Sequence, residues 1–255
     1  MILAGALKKP RVMVVVPCYN EEKRLPINEF AQFLDESTVN FVFVNDGSGD
    51  NTIELLNRLR AGREDRVTVI DPGVNKGKAE AVRTGVSAAL GNSAEYVGYW
   101  DADLATPLNA ILNFVAILQS RPEIDMVFGA RVKLLGRRVE RKIARHYLGR
   151  VFATVVSSVL RLPVYDTQCG AKLFRVHPYT HVLFDEPFKS RWVFDVELIA
   201  RYIRHAGSSE LAAKRIYEDP LMVWEDVAGS KLKPFDFLVA FKDVAQIYWK
   251  YMRRA

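Results

Sequence analysis

Long apolar runs are missing from this sequence. None of its 255 residues belongs to a continuous apolar stretch of about 18 or more, so no segment is expected to cross a bilayer as a helix. Cysteine is scarce as well. Two residues, Cys18 and Cys169, make neither a disulfide framework nor a metal cluster, and are read as reduced thiols in a cytosolic protein. The segment from Met1 to Pro10 has too short an apolar patch, and its lysines come too late, for a secretory leader. The four histidines, His146, His177, His181 and His205, follow no ligand or triad spacing and are assigned structural roles. No internal repeat, low-complexity tract or clear linker interrupts the chain. With 49% hydrophobic and 26% charged residues it has the composition of a globular protein, and its length suits one large domain with a substantial core.

Acid is nearly absent from one region. Arg131 to Arg150 holds eight basic residues against the single acid Glu140, within a formal net charge of +6. Such a stretch is either a solvated helix face or a patch for phosphate or anionic lipid. Nucleic acid is not expected as a partner, because no binding motif and no interleaved aromatic platform accompanies the charge.

The first half alternates β-rich apolar runs with helix-length segments. Strands are expected at Arg11–Val16, Asn40–Val44, Arg66–Ile70, Tyr96–Trp100 and Asp125–Phe128, and helices at about Leu25–Glu36, Thr52–Arg60, Lys78–Leu90 and Pro107–Gln119. Near-continuous apolar strands between helices predict an α/β fold, a mostly parallel central sheet with helices on both faces. The second half is less regular. A long helix is expected at about Arg138–Leu160, another at Phe194–Ala206, a strand at Ala212–Tyr217, and a basic, aromatic C-terminal amphipathic helix at about Phe235–Met252. That last helix can pack on the core or lie in a membrane interface, since both require the same period.

Three polar segments fall at the carboxyl ends of expected strands, where such sheets bind ligands. These are Pro17-Cys18-Tyr19-Asn20-Glu21, Asn45-Asp46-Gly47-Ser48 and Asp101-Ala102-Asp103. Two carboxylates one residue apart repel unless a cation offsets them, and hard oxygen ligands suit Mg²⁺ or Mn²⁺ shared with substrate phosphates. Asp46 can accept hydrogen bonds from a base, Gly47 permits a tight turn, and Asp50 or Asn51 can cap the next helix. Asn75-Lys76-Gly77-Lys78 opens a helix and offers positive charge and backbone N–H groups to phosphate.

In this order, these segments resemble the family 2 inverting glycosyltransferases of the GT-A (Rossmann-like nucleotide-binding) fold. Asp166-Thr167-Gln168-Cys169-Gly170-Ala171-Lys172-Leu173-Phe174, Arg191 to Leu198, Trp224-Glu225 and Gly229-Ser230-Lys231-Leu232 are similar to the branch that glucosylates polyprenyl (dolichyl-type) phosphate. The resemblance covers nearly the whole chain, read as one GT-A domain with a nucleotide-sugar half at about 11–130 and an acceptor half at about 131–255, the latter carrying candidate membrane-interface helices. It implies that Pro17, Tyr19, Glu21 and Asp46 hold the nucleoside with Lys78 near it, and that Asp101, Ala102 and Asp103 flank the diphosphate. Asp101 and Asp103 would bind Mg²⁺ or Mn²⁺, Asp103 more directly. Gln168 and Asp195 would line the sugar and acceptor, and Arg131, Arg141, Arg145, Ser230 and Lys231 would hold the acceptor phosphate. Where mannosyl relatives carry a metal-assisting Gln, this sequence has Ala105, which favours glucose, with UDP-glucose as donor.

The implied reaction is metal-dependent transfer of a hexose to polyprenyl phosphate with inversion. A phosphate acceptor is already ionised near neutral pH and needs cations to position it more than it needs a base, and Arg serves that purpose with its paired donors. The expected setting is the cytoplasm, peripheral on the cytoplasmic face of a membrane, and a separate membrane subunit is compatible with the sequence. If the acceptor were a hydroxyl of a glycan, lipid or metabolite, Asp195 or Asp166 would be the candidate base of a soluble family 2 enzyme. A non-catalytic nucleotide-sugar and anion-binding protein would keep the same loops.

Overall fold

The computed structural model describes residues 10–140, 143–225 and 234–253, with the backbone alone at 140, 143–147 and 234–238. The valine- and phenylalanine-rich runs form β1 (Val12–Cys18), β2 (Asn40–Asn45), β3 (Val67–Ile70), β4 (Tyr96–Trp100) and β5 (Met126–Ala130). Between them lie α1 (Ile27–Glu36), α2 (Thr52–Arg60), α3 (Lys78–Leu90) and α4 (Asn109–Ser120). The second half adds β6 (Arg138–Glu140), α5 (Ile143–Leu160), β7 (Ala171–Arg175), α6 (Pro178–Asp185), α7 (Phe194–Ala206), α8 (Ser209–Ala213), β8 (Ile216–Pro220), β9 (Val223–Glu225) and α9 (Pro234–Ile247). A π-helical turn, Tyr248–Met252, continues from α9.

Among the described residues, seven strands make one sheet in the order β3-β2-β1-β4-β7-β5-β8. Every neighbouring pair is parallel except the two that flank β7, which runs antiparallel to both β4 and β5. Strand alternation sends Val12, Val14, Val16, Phe41 and Phe43 to one face, under α1, α2 and α4. Met13, Val15, Val42 and Val44 go to the other, under α3, α5, α6, α7 and α9. Burial on both faces explains why these strands read as continuous apolar runs, each large side chain contributing about 1.5–3 kcal/mol.

Three expectations about the second half are corrected, and two elements are added. Arg138–Glu140 is not the start of the long helix but a strand, pairing parallel with β9. The reason is long-range: Val139 and Trp224 are both buried in the same apolar cluster. The strand expected from Ala212 begins at Ile216, because the Ser208 hydroxyl accepts a hydrogen bond from Leu211 N (3.2 Å) and starts α8 instead. The C-terminal helix is α-helical only to Ile247 before it widens into the π turn. Finally, β7 and α6 are additional elements that the apolar pattern did not separate.

Candidate active site

Parallel strands place their carboxyl ends on one rim of the sheet, and the antiparallel β7 brings its amino end to the same rim, since Trp100 pairs with Ala171. The segments after β1, β2, β4 and β5 and before β7 therefore meet there. Pro17, Tyr19, Glu21, Asp46, Lys78, Asp101, Ala102, Asp103, Gln168 and Asp195 belong to these segments or to the helix starts facing them.

The loops after β1 and β2 are laced together. Asn20 N donates to Ser48 Oγ (3.0 Å), and Asn20 Oδ1 accepts from Gly49 N (2.8 Å). Glu21 N donates to Thr52 Oγ1 (2.8 Å), while the buried Glu21 carboxylate accepts from Arg24 Nε (3.0 Å) and Nη2 (2.5 Å). Tyr19 is 38% exposed on this rim. Asp46 is buried, and its two oxygens accept from the backbone N–H groups of Lys76 and Gly77, each at 2.8 Å. Its present partners are thus the donors that precede α3, and the spare lone pairs of both oxygens stay available to a base. Gly47, at φ +63°, lies so close to the backbone of Val74 and Asn75 that a Cβ there would overlap it. This close approach brings the Asn75–Lys78 loop over the ends of β1 and β2.

The acid pair follows β4. Asp101 N donates to Gly170 O (3.0 Å), and the Asp101 carboxyl lies where a Cβ on residue 170 would be. Lys78, the first residue of α3, places Nζ 2.5 Å from Asp101 Oδ1. Burial opposes the charge on Lys78, but Asp101, Asp195 and Asp103 outweigh it and raise its pKa. Asp103 accepts from Ala105 N (3.2 Å). Burial, and then the negative charge of Asp101, push its carboxyl above the ordinary range, against weaker opposition from Ala105 N–H, Lys78 and Arg24. The 101–105 turn is tied in turn to β9 through Glu225 N and Ala105 O (3.2 Å).

This donor set fits a divalent cation. Two carboxylates with hard oxygens sit together at a cost in mutual repulsion that a cation would offset. Among the described residues no cluster of three His, Cys, Asp or Glu side chains forms a closed cage, so remaining coordination positions would fall to donor phosphates and water.

Elsewhere on the rim, Asp195 in the first turn of α7 is buried against Lys172 of β7, Nζ to Oδ1 2.6 Å, and Tyr99 Oη donates to the same oxygen. Gln168 is half-buried, with its N donating to Asp166 Oδ1 (3.1 Å). Asp166 also accepts from Arg131 N, Nε and Nη2 at 3.1, 2.6 and 2.7 Å. Arg131 is therefore engaged with Asp166 in a two-point pair and lies over the Trp224 ring (5.3 Å), so its fork is already occupied by a carboxylate of this chain. Of the other residues assigned to acceptor phosphate, Arg141, Ser230 and Lys231 lie outside the described residues, and Arg145 is on α5 with its backbone alone described.

Sequence reasoning passed over Lys172, Tyr99 and Gly170 as site residues. The signal for Lys172 was a lysine inside the apolar run Ala171–Phe174, since an unpaired lysine is almost never fully buried.

A parallel-sheet rim with laced loops after β1 and β2 and a paired-acid turn after β4 matches a GT-A-type glycosyltransferase fold. The chain belongs to glycosyl transferase family 2, whose pattern matches residues 13–183. It is 33% identical to the dolichyl-phosphate beta-glucosyltransferase of Drosophila melanogaster, an alignment covering 94% of this chain and 74% of that protein. The mouse enzyme of the same name, from Mus musculus, is 32% identical over 96% of this chain and 77% of its own length. Among solved structures, glucosyl-3-phosphoglycerate synthase from Mycobacterium tuberculosis, in complex with Mn²⁺, UDP and glucosyl-3-phosphoglycerate, shares the fold. Its TM-score is 0.65 at 19% identity, covering 94% of this chain and 77% of that one.

Proposed function

We propose that this chain transfers glucose from UDP-glucose to a dolichyl-type polyprenyl phosphate, with inversion and with Mg²⁺ or Mn²⁺ as cofactor. The observation that carries the reading is similarity along nearly the whole chain to dolichyl-phosphate beta-glucosyltransferases, on a rim whose paired acids fit the cation. The similarity includes the second half, where acceptor contacts belong.

In this reading the Tyr19–Glu21 and Asp46 loops receive the nucleoside, and Lys78 lies beside the diphosphate. When bound, the cation stabilises charge on the departing diphosphate as a Lewis acid. Asp103, and Asp101 beside it, hold that cation. Gln168 and Asp195 orient the sugar so that its anomeric carbon faces the acceptor. A phosphate oxygen attacks that carbon as its bond to the UDP oxygen breaks, and the anomeric configuration inverts. No proton need be removed from an ionised phosphate, so Asp195, already paired with Lys172, has no base to be. Arg141, Arg145 and Lys231 would supply the acceptor's counter-charge and Ser230 a hydrogen bond, with Arg131 contributing its charge while paired to Asp166.

No described helix is long and apolar enough to cross a membrane. The exposed Leu148, Val151 and Val155, at helical spacing on α5, support contact with a membrane surface, which this reading assigns to the cytoplasmic leaflet. The test is incubation of the purified chain with UDP-glucose, UDP-galactose or GDP-mannose, with and without a short polyprenyl phosphate, in Mn²⁺ or EDTA. The reading requires a β-linked glucosyl phospholipid formed only with metal. Equal transfer to the unphosphorylated polyprenol would overturn the acceptor assignment. Arg145→Ala should raise KM for polyprenyl phosphate more than for UDP-glucose.

A further inference from the structure

We propose that Lys172 is a positioning residue of this site. Its buried ammonium would lock Asp195 and the carbonyls of Thr167 and Cys169, the neighbours of Gln168, into one rigid unit, and thereby set the sugar-facing geometry. The proposal rests on the glucosyl-transfer reading, in which Gln168 and Asp195 line the sugar.

Lys172 is fully buried, at 0% exposure, in the middle of the sheet. An ammonium has three donors, and here three acceptors surround it. They are Asp195 Oδ1 at 2.6 Å, Thr167 O at 3.0 Å and Cys169 O at 2.6 Å. The two carbonyls belong to the residues on either side of Gln168, so one side chain pins the Thr167–Gln168 and Cys169–Gly170 peptides around it. The rings of Phe128 and Tyr99 lie 5.3 and 5.4 Å from Nζ and exclude water from the remaining directions. Few conformations of the 167–169 segment could satisfy this donor set.

The same ammonium orients Asp195. Lys172 and Tyr99 both donate to Oδ1, and among the described residues Oδ2 accepts no hydrogen bond. A carboxylate held by one oxygen, with the other unengaged, is set up to accept a hydrogen bond from a ligand hydroxyl in one direction. Asp195 also starts α7, so the arrangement ties the β7 strand, the 167–169 segment and the first turn of that helix together.

Stability alone does not explain a lysine here. Apolar side chains of similar volume commonly replace buried ion pairs at no loss, or with a gain, in stability. A buried ammonium that joins two separate segments, both carrying sugar-side residues, supplies orientation that an apolar side chain cannot.

The test is a pair of double-mutant cycles, Lys172→Met and Tyr99→Phe, each in the wild-type and Asp195→Asn backgrounds. Initial rates of glucosyl transfer from UDP-glucose to a short polyprenyl phosphate in Mn²⁺ give kcat and KM separately, and near-UV circular dichroism monitors the fold. If Lys172 positions the unit, K172M lowers kcat about a hundredfold with the UDP-glucose KM within about threefold, the size of effect expected of a misplacement of about 1 Å. Y99F lowers kcat about tenfold, and in the D195N background both substitutions cost much less, because coupled sites are not additive. The proposal is overturned if K172M keeps kcat within about threefold, or if the losses multiply in full in both backgrounds. Should K172M fail to fold, the Y99F cycle decides alone: non-additivity supports the unit, and full additivity overturns it. A wild-type chain that transfers no glucose to any phosphate acceptor would instead defeat the functional reading on which the proposal stands.

Discussion

Gly170→Ala should separate activity from stability in one substitution. The added methyl would fall on the Asp101 carboxyl, and the backbone has little room to withdraw. Asp101 N already donates to Gly170 O, and the β4–β7 ladder begins at the next pair, Trp100 with Ala171. The Asp101 side chain must therefore rotate away and give up its 2.5 Å contact with Lys78. A shift of about 1 Å in such a group can cost ~100-fold in rate, or about 2.7 kcal/mol of barrier. The effect on stability runs the other way. Residue 170 is not in the left-handed region, so alanine reduces unfolded-chain entropy and contributes about 0.4–1 kcal/mol. Loss of the Lys78–Asp101 pair, each partner about one-third exposed, takes back about 0–1 kcal/mol. The melting temperature should therefore stay within about 4 °C of wild type while kcat/KM for UDP-glucose falls about a hundredfold. Thermal melts and steady-state kinetics on the same preparation decide the matter. Activity within threefold of wild type would refute the claim that Gly170 fixes Asp101. A melting point lowered by about 10 °C or more would show the clash relieved by parting β4 from β7.

Asp103→Ala should abolish transfer and leave the fold intact by circular dichroism; near wild-type turnover at saturating Mn²⁺ would remove its metal role. Arg131→Ala should destabilise the protein by about 3–5 kcal/mol, because it strands the buried Asp166, and adding Asp166→Asn should restore most of that loss in urea titrations. An unchanged melting point with a raised acceptor KM would instead make Arg131 chiefly a ligand. At Asp125, burial opposes the charge, but hydrogen bonds from Tyr202 and Arg215, with the nearby Tyr179 hydroxyl and the His177 charge, hold the carboxyl below the usual range. Its contribution is therefore present above the unfolded value near ~3.9 and lost as pH falls through the lower folded value. Urea midpoints measured from pH 6 down to 3 should drop more steeply for wild type than for Asp125→Asn, and parallel curves would contradict this.

The first half was legible because its signals are local. Apolar runs ending at Pro17, Asn45 and Asp101 mark strands buried on both faces, and Gly77 and Gly91 bracket α3 within the sequence itself. The site loops were legible for the same reason, since strand ends in such a sheet must share a rim. What escaped depended on partners far away in the chain. Arg138–Glu140 is a strand only because Trp224 lies beside Val139. Lys172 stands out only as a lysine inside an apolar run, and what it does shows only when the distant Asp195 joins the nearby Thr167 and Cys169 carbonyls around it. Arg131 looked available to a phosphate because nothing in the sequence revealed that Asp166 already holds it.

The reversed strand β7 has a consequence for how the protein comes to exist. It sits between β4 and β5, so a nascent chain that has produced only the first 130 residues holds one four-stranded ladder, β3-β2-β1-β4, and a β5 with neither of its partners yet made. The ladder closes only when residues 171–175 insert between β4 and β5, a non-local pairing that raises contact order and slows assembly. The two halves of the chain are thus not interchangeable cassettes: cut it before β7, and the first fragment keeps its acids but loses the strand beside them.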